Sequence, residues 1–265
     1  MTAGQPVHMT GKLDGIPVER TTLDDAVAAF VKGVTSGAPA QAHRLVNSYT
    51  FALADTDPAY KPLLTRSGVN LPDGRPLVYV MNGLDRYGRN SVGGGRRPFG
   101  QVRGPSFFVR CLDEGRVQGV SHLFLGGSPE LLELLKKEVE RRFPGTQIVG
   151  MISPPFRPLT EVERAETDSE IKASGAHVVW VALGTPKQDF EAQRICDTLG
   201  VTTAAVGAAF DFVAGTKPEA PEWVRRLSLE WMFRLMSEPR RLWRRYLIGN
   251  SRFLMLVLRE VRRVR

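Results

Sequence analysis

The sequence has little cysteine and no long apolar run, and both absences limit what the protein can be. Two cysteines among 265 residues, Cys111 and Cys196, are too few for a disulfide framework or a cysteine-rich metal site. We expect both to be buried, inert side chains, as is usual in a reducing compartment. No apolar run reaches the roughly 18 residues that a membrane-spanning helix needs, so no spanning helix is predicted.

Familiar catalytic and phosphate-binding motifs are also missing. The chain contains neither G-x-G-x-x-G nor G-x-x-x-x-G-K-[ST], which disfavours a dinucleotide-dependent enzyme and a P-loop NTPase. Its histidines lack metal-ligand spacing, and nothing resembles a Ser/His/Asp arrangement. Asp55 and Asp57 superficially resemble the carboxylate pair with which many glycosyltransferases hold a metal. Because Pro58 follows directly, we expect instead a helix end and the cap of the next helix, and we predict no metal and no cofactor.

Lysine is absent from residues 221–265, yet this segment, called the tail below, carries all of the excess positive charge. It contains 12 Arg and 4 Glu, whereas the whole chain has 36 Lys and Arg against 28 Asp and Glu. The preceding residues are therefore charge-balanced. The tail is also rich in Trp, Phe, Leu and Met. This asymmetry points to an anionic partner, which is a membrane surface, a nucleic acid or a phosphorylated substrate.

Short apolar strands alternate with amphipathic helices before the tail. Thr22 with Asp25 is a helix N-cap signature, and it predicts a helix over 21–34. The alternation predicts an α/β fold, with a Rossmann-like, mostly parallel sheet flanked by helices. We divide the chain into a disordered leader, an α/β body and a basic, amphipathic helical appendage, which cover residues 1–14, 15–220 and 221–265.

Three predicted strands end in small residues just before a helix, at 125–129, 183–189 and 206–212. Ligands of open parallel sheets bind outside the carboxyl ends of the strands. Glycine permits close approach of a ligand, and a helix N-terminus favours a phosphate. These turns therefore suggest a nucleotide or sugar phosphate, although such turns also occur where the chain only changes direction.

Asp73 lies on a Pro-Asp-Gly turn in otherwise apolar sequence. A single carboxylate in this setting can act as a general base. It can equally bond to its own backbone, as turn aspartates do. The local sequence leaves both interpretations open.

A longer series of motifs gives a more specific indication. The strings Leu-Gly-Thr-Pro-Lys-Gln-Asp, Val-Gly-Ala-Ala-Phe-Asp-Phe, Leu-Glu-Trp-Met-Phe-Arg-Leu and Glu-Pro-Arg-Arg-Leu-Trp-Arg-Arg-Tyr follow one another between Leu183 and Tyr246. Shorter matching segments precede them, at 46–48, 71–74, 103–104, 125–127 and 143–145. In this order they resemble the WecG/TagA/CpsF glycosyltransferase family, over roughly residues 15–250.

The resemblance implies a reaction. Enzymes of this family transfer a sugar, often N-acetylmannosamine or its acid, from UDP to a polyprenyl-diphosphate-linked acceptor at the cytoplasmic face. They invert the anomeric centre and need no metal. For this chain the resemblance implies a UDP-sugar donor, a polyprenyl-diphosphate-linked saccharide acceptor and a role in cell-surface polysaccharide synthesis. It also implies a cytoplasmic enzyme attached peripherally to the inner face of the plasma membrane.

The resemblance further implies roles for individual residues. Asp73 would be the general base, and Asn47 would shape its pocket. Gln188 and Asp211 would bind the nucleotide end of the donor. The glycines that would let the diphosphate and ribose come close are Gly126, Gly127 and Gly184. The arginines that would neutralise the leaving diphosphate are Arg103, Arg234, Arg241 and Arg244, since arginine suits phosphate oxygens.

Four features depart from the family pattern. Leu45 stands where a Thr is usual, Asp189 replaces a Glu, and Glu219 replaces an Arg. The Gly/Arg-rich segment 88–100 resembles an insertion. These departures affect the predicted identity of the acceptor and of the transferred sugar more than the predicted class of reaction.

The tail supports two further expectations. Its first large apolar residues are spaced by four, which predicts one apolar stripe that docks on the body. The residues of this stripe are Trp223, Leu227, Trp231 and Leu235. Its last arginines alternate with apolar residues, which is typical of a helix lying on an anionic membrane; they are Arg252, Arg259, Arg262, Arg263 and Arg265. The alternatives are a solvated face or a contact between copies in a homo-oligomer.

One alternative function belongs to a different class. A non-catalytic nucleotide-binding module with an arginine arm for nucleic acid would also explain the basic tail. No recognised nucleic-acid motif is present, and the arginines share their helices with large apolar residues. We therefore do not expect nucleic acid as a partner.

Overall fold

The computed structural model describes residues 9–66, 68–86 and 98–262, apart from the side chain of Arg241. Most of the Gly/Arg-rich segment therefore lies outside the described residues, as do Arg263 and Arg265. The strands are β1 Thr10–Leu13, β2 Ile16–Glu19, β3 Ala42–Val46, β4 Val69–Pro72, β5 Ser121–Leu125, β6 Gln147–Ile152, β7 Val178–Val181 and β8 Thr202–Ala205. The helices are α1 Leu23–Thr35, α2 Ser48–Ala54, α3 Tyr60–Thr65, α4 Arg75–Arg86, α5 Gly104–Val117, α6 Pro129–Arg142, α7 Glu161–Ser174, α8 Lys187–Leu199, α9 Ala209–Val213, α10 Glu222–Arg226, α11 Glu230–Ser237 and α12 Pro239–Arg262.

Strands β3 to β8 form one parallel sheet in the order β4-β3-β8-β7-β5-β6. Residues 178–181 of β7 are completely buried, as expected for a strand covered by helices on both faces. This arrangement confirms the predicted α/β fold with a parallel sheet. The predicted helix over 21–34 is also confirmed, because Thr22 caps α1 by accepting a hydrogen bond from the Asp25 amide.

Helices cover both faces of the sheet and bury two apolar layers. On one face, α1, α5, α6 and α9 enclose an aromatic cluster in which Phe30, Phe107 and Phe108 pack around Trp180. On the other face, α7 and α8 bury Ile171 and Ile195. These two layers hold the sheet rigid, so the carboxyl ends of its strands form a fixed platform.

The N-terminal boundary of the body needs correction. The leader was expected to run to residue 14, but β1 pairs with β2 in an antiparallel hairpin, with Leu13 opposite Ile16. Both of these side chains are completely buried, so they contribute to the core. The turn between the strands is Asp14-Gly15, in which both residues have positive φ, as tight hairpins require. Residues 1–8 lie outside the described residues.

The tail folds back onto the body through its last helix. The buried residues of α12 are Leu242, Phe253 and Leu256, and Phe253 packs on Phe51 of α2 with ring centroids 6.1 Å apart. Close contact between α12 and α2 requires Gly249, because a Cβ there would lie 3.1 Å from the Tyr49 ring. The tail therefore shares an apolar cluster with α2, α3, α4 and the β1–β2 hairpin.

The predicted docking stripe over 223–235 is wrong. Trp223 and Leu227 are 64% and 61% exposed. The chain leaves helical geometry at Ser228, whose φ is +65°, so α10 and α11 are separate helices. A spacing of four residues aligns side chains only along one continuous helix, and the break separates the two halves of the stripe.

Candidate active site

Asn47 and Asp73 meet at the carboxyl edge of the sheet. Asn47 follows β3 and Asp73 follows β4, and these parallel strands are in register, with Val46 opposite Pro72. The Asp73 amide donates to the Val46 carbonyl at 2.8 Å, which fixes the turn against the neighbouring strand. The Asn47 Oδ1 atom caps α2 by accepting from the amides of Tyr49 and Thr50. The Asn47 side chain also hydrogen-bonds to the Asp73 carboxylate.

The surroundings of Asp73 make its carboxylate more basic than usual. Burial raises the pKa of Asp73 to about 6, and the negative charge of Glu230 adds to this effect. Arg103, Arg234 and the Asn47 hydrogen bond act in the opposite direction. A carboxyl group with a pKa near neutrality is suited to accept a proton from a hydroxyl group.

Asp73 lines a cavity of about 370 Å³, called the small cavity below, which the body and the tail build together. The body contributes, among others, Asn47, Tyr49, Asp73, Arg75 and Arg103, and the tail contributes Glu230, Trp231, Arg234, Arg245 and Tyr246. The small cavity thus combines the Asp73 carboxylate, whose pKa is raised, with several arginines. The side of the cavity that the tail forms exists only when the tail is docked on the body.

Arg103 pairs with one carboxylate of the tail, Glu230, and with one at the end of the body, Glu219. Its guanidinium makes a forked pair with Glu230, in which Nε lies 3.0 Å from both carboxylate oxygens and Nη2 lies 2.9 Å from Oε1. Its Nη1 atom lies 2.6 Å from Glu219, which also pairs with Arg225 at 3.3 Å. In this structure the charge of Arg103 is therefore balanced. Glu219, where the family has an Arg, adds a second ion pair to the same guanidinium.

Arg234 and Arg245 also line the small cavity and have no carboxylate partner among the described residues; the same holds for Arg75, which donates to the Arg226 carbonyl. The Arg234 guanidinium carbon lies 5.6 Å from the centre of the Phe212 ring, and Arg103 lies at the same distance from that ring. The Arg245 guanidinium lies 4.5 Å from the centre of the Tyr49 ring. Sequence reasoning identified Arg234 but missed Arg245 and Tyr49.

The structure does not bring Arg244 into either cavity that we describe. Arg244 is exposed, and its guanidinium lies 5.2 Å from the ring centre of its neighbour Trp243. Arg241 is on the same helix, but its side chain lies outside the described part of the structure. Their implied contacts with a diphosphate remain predictions.

A larger cavity of about 870 Å³, called the large cavity below, opens at the ends of β5, β7 and β8. Gly127, Gly184 and Asp211 all line it, as do Lys187 and Lys217. The Lys217 ammonium lies 3.0 Å from an Asp211 carboxylate oxygen. A β-carbon on Gly184 would meet no atom within 4 Å, so this glycine leaves open space in which a ligand can approach the backbone.

Gly126 and Gln188 act behind the large cavity rather than on its surface. A β-carbon on Gly126 would lie 2.5 Å from the Ala182 carbonyl oxygen, so this glycine permits contact between the ends of β5 and β7. Gln188 is buried, and its Oε1 atom accepts a hydrogen bond from the Gly184 amide at 3.1 Å. Both residues therefore shape the loops that border the large cavity.

Asp189 is a buried residue of the first turn of α8. Its carboxylate accepts a hydrogen bond of 2.5 Å from the Tyr60 hydroxyl, and burial raises the pKa of Asp189 to about 6. Leu45, the other substitution near the site, packs against the start of α5, where a β-carbon on Gly104 would lie 2.8 Å from it. Both substitutions are accommodated by the packing around the site.

The expectations for Asp55 and the cysteines are confirmed, but the expectation that Asp57 caps the next helix is wrong, because the N-cap of α3 is Ala59 and α3 has no side-chain cap. Asp55 is the C-cap residue of α2 and pairs with Arg259 of the tail at 2.6 Å. Asp57 accepts a hydrogen bond from the Ala59 amide at 2.9 Å, in the turn before α3. Cys111 and Cys196 are both free and buried.

The fold and the cavities define the class of the molecule, and sequence comparison places it within that class. A parallel α/β sheet with ligand-sized cavities at its carboxyl edge is a Rossmann-like arrangement. A model of the Glycosyl transferase WecG/TagA/CpsF family matches residues 12–265, and the chain belongs to this family of glycosyltransferases. The resemblance drawn from the motifs is thereby confirmed, as is the class of enzyme.

A characterised relative comes from Bacillus spizizenii. This protein is an N-acetylglucosaminyldiphosphoundecaprenol N-acetyl-beta-D-mannosaminyltransferase, and it is 28% identical to the chain over 207 residues. The matched region covers 78% of this chain and 74% of the relative. Membership of a glycosyltransferase family favours an enzyme over the non-catalytic nucleic-acid-binding alternative.

Proposed function

We propose that the protein is an inverting, metal-independent glycosyltransferase that moves an N-acetylmannosamine-like sugar from UDP to a polyprenyl-diphosphate-linked saccharide. The observation that carries the proposal is the position of Asp73, a carboxylate of raised pKa in an arginine-lined cavity. The name of the Bacillus spizizenii relative, which specifies both a mannosaminyl group and a diphosphoundecaprenol acceptor, supports the choice of substrates.

In the proposed reaction the Asp73 carboxylate removes the proton from the attacking hydroxyl of the acceptor. The hydroxyl oxygen forms a bond with the anomeric carbon of the donor sugar. The bond between that carbon and the β-phosphate oxygen breaks, and its electron pair leaves with UDP. A single displacement of this kind inverts the anomeric centre. Asn47 holds the Asp73 carboxylate in place through its hydrogen bond.

The large cavity is the proposed binding site for the nucleotide. Gly184 lets the diphosphate approach the backbone, since a β-carbon there would meet no atom within 4 Å, whereas the missing β-carbon of Gly127 makes room for Leu131. Asp211 with Lys217 offers polar contacts to the nucleoside. Phe212 follows Asp211 and contacts Arg103 and Arg234 of the small cavity. Phe212 of α9 therefore links the two cavities, and the proposal assigns to Arg234 the neutralisation of the charge that develops on the leaving diphosphate.

The tail is the proposed membrane-facing surface. Several apolar side chains of α12 are exposed, among them Leu247 at 62% and Leu254 at 59%, and arginines flank them. Such a surface is typical of a helix in a membrane interface. No described helix is both long and apolar enough to cross a membrane. Sedimentation with anionic and with neutral liposomes tests this placement, and equal retention on both would contradict it.

A transfer assay tests the proposed reaction. The enzyme is mixed with UDP-N-acetylmannosamine, a short-chain lipid diphosphate N-acetylglucosamine and EDTA, and UDP release and the disaccharide product are measured. We expect transfer that EDTA does not reduce, with inversion in the product. Absence of transfer from this donor and from other UDP-sugars would contradict the proposed function. Loss of activity in EDTA would contradict metal independence alone.

A further inference from the structure

Arg245 is a cation in the small cavity that the reaction described above does not use. Its Nε atom is buried and has no hydrogen-bond partner, and none of the described carboxylates forms an ion pair with it. Its contact is with the Tyr49 ring, which also lies close to Gly249, one turn further along α12. Aromatic stacking holds a guanidinium in place without consuming its hydrogen bonds.

The surroundings of Arg245 are unfavourable for a cation unless an anion binds. Burial lowers the pKa of Arg245, and the neighbouring charge of Arg234 lowers it further. Two neighbouring arginines without a carboxylate partner repel each other, and buried charges are normally paired. The fold maintains this arrangement inside a cavity, and a phosphate is the ligand that a guanidinium fork recognises best.

Two diphosphates take part in the proposed reaction, one on the donor and one on the acceptor, and the positions of the two arginines distinguish between them. Arg234 contacts Phe212, the neighbour of Asp211 in the large cavity, so it lies on the nucleotide side. Arg245 contacts Tyr49, so it lies against α2, the helix that begins after Asn47. Ile248, one helical turn after Arg245, is 44% exposed, so an apolar surface begins beside this arginine.

We propose that Arg245, held by Tyr49, binds the diphosphate of the lipid-linked acceptor, whereas the donor diphosphate binds on the Arg234 side. This inference rests on the proposed function. An acceptor whose sugar hydroxyl is at Asp73 carries its diphosphate one sugar ring away and its lipid beyond that. Asp73, Arg245 and the apolar surface that begins at Ile248 follow one another in the same order as the sugar, the diphosphate and the lipid of such an acceptor.

The first test measures binding to the full-length protein by calorimetry, with geranyl diphosphate as the acceptor-side probe and UDP as the donor-side probe. Arg245→Gln should weaken geranyl diphosphate binding about tenfold or more, as expected for the loss of hydrogen bonds to a charged group. UDP binding should change less than about twofold, within the small effect expected of a group that does not touch the ligand. Arg240→Gln removes an exposed arginine of the same helix, and both affinities should remain unchanged.

Each outcome of this test decides the proposal. Failure of the wild type to bind geranyl diphosphate would overturn it. Equal weakening of both probes, or of UDP alone, would assign Arg245 to the donor and would overturn it as well. If Arg245→Gln selectively weakens geranyl diphosphate while the wild type transfers no sugar, the site stands and the proposed function fails.

Kinetics provide the second test if the enzyme is active. Arg245→Gln should raise KM for a lipid diphosphate N-acetylglucosamine, with little change in KM for the UDP-sugar. Turnover of an uncharged alkyl N-acetylglucosaminide should not depend on Arg245. Tyr49→Leu should have the same selectivity with a smaller effect, whereas Tyr49→Phe retains the ring and should restore binding. Equal loss with the charged and uncharged acceptors would contradict the assignment.

Discussion

The large cavity and the small cavity occupy the same edge of one sheet, but they differ in how they are built. The large cavity is lined by loops after β5, β6, β7 and β8, all of which belong to the body. The small cavity requires the body and the tail together, because Asp73 comes from β4 and Glu230, Arg234 and Arg245 come from α11 and α12. On the proposed function, the nucleoside of the donor binds to the body alone, whereas proton transfer, acceptor binding and the contact of Arg234 with the donor diphosphate also require the tail.

The link between the two parts is electrostatic as well as apolar. Phe253 and Leu256 dock α12 in the apolar cluster of the body, while the forked pair between Arg103 and Glu230 docks α11 beside Asp73. Because Glu230 also raises the pKa of Asp73, the position of the tail affects the strength of the proposed base. The predictions that follow test this division between the cavities.

Asp73→Asn should have the largest effect. Removal of a general base lowers kcat by about 10²- to 10⁴-fold, and the amide preserves the shape of the turn. UDP affinity should remain unchanged, since the nucleotide binds in the other cavity. Turnover and UDP calorimetry measure the two effects. Asp113→Asn, on the surface of α5, is the matched control and should leave turnover unchanged. Retained turnover in Asp73→Asn would show that Asp73 is not the general base.

Glu230→Gln should have the next largest effect. The substitution weakens a charge-assisted pair worth about 1.5–3 kcal/mol and loosens α11 over the small cavity. We expect turnover to fall about tenfold, with a smaller loss of UDP affinity, because α11 also carries Arg234. Arg103→Met should produce a similar loss, and a double-mutant cycle should show strong coupling between the two positions. Additive effects in the cycle would show that the pair does not join the tail to the body.

The pH dependence of kcat/KM should show a smaller but diagnostic effect. The pKa of Asp73 is raised to about 6, so the active carboxylate form is present above this pH and is lost as the pH falls through it. Glu230→Gln removes a negative charge that raises this pKa, so the acid limb of the profile should move to lower pH. An acid limb near the ordinary aspartate pKa, or one that Glu230→Gln leaves in place, would contradict the assignment.

Glu219→Gln should have the smallest effect. The Glu219 side chain is 41% exposed, and its pairs with Arg103 and Arg225 are accessible to solvent. Pairs of this kind contribute about 0–1 kcal/mol. We therefore expect less than about a threefold change in turnover, with greater sensitivity to salt. A loss as large as that of Glu230→Gln would mean that Glu219 contributes as much as Glu230 to docking the tail, and would contradict the primary role given to Glu230.

The alternation of strands and helices was sufficient to predict the α/β fold of the body. Hydrophobic periodicity and turn-forming residues determine secondary structure locally, so they can be recognised in the sequence. The β1–β2 hairpin was missed because each strand has only four residues, although Asp14-Gly15 is a strong turn signal. Helix α5 was not predicted either. For Asp73 and Asn47, the sequence motifs identified the residues, and parallel pairing of β3 with β4 explains why they meet.

The tail shows where sequence reasoning stops. Arg244 and Arg245 are neighbours that point about 100° apart on a helix, as the 3.6-residue repeat requires. Which of them faces Asp73 depends on how α12 packs on α2, and this packing is set by the contacts of Gly249 and Phe253 with Tyr49 and Phe51, which are distant in the sequence. The motif suggested Arg244, whereas the structure places Arg245 in the small cavity. Long-range packing of this kind leaves no local signal in the sequence.

Hydrogen–deuterium exchange of the full-length protein, with and without UDP, tests the division between the cavities most directly. UDP should protect the amides of the large-cavity loops, at 126–131, 183–188 and 207–217, while α2 and residues 245–256 of α12 exchange as before. Geranyl diphosphate should protect the start of α2 and the middle of α12 instead. Protection by UDP confined to α2 and α12, with the large-cavity loops unchanged, would contradict the account.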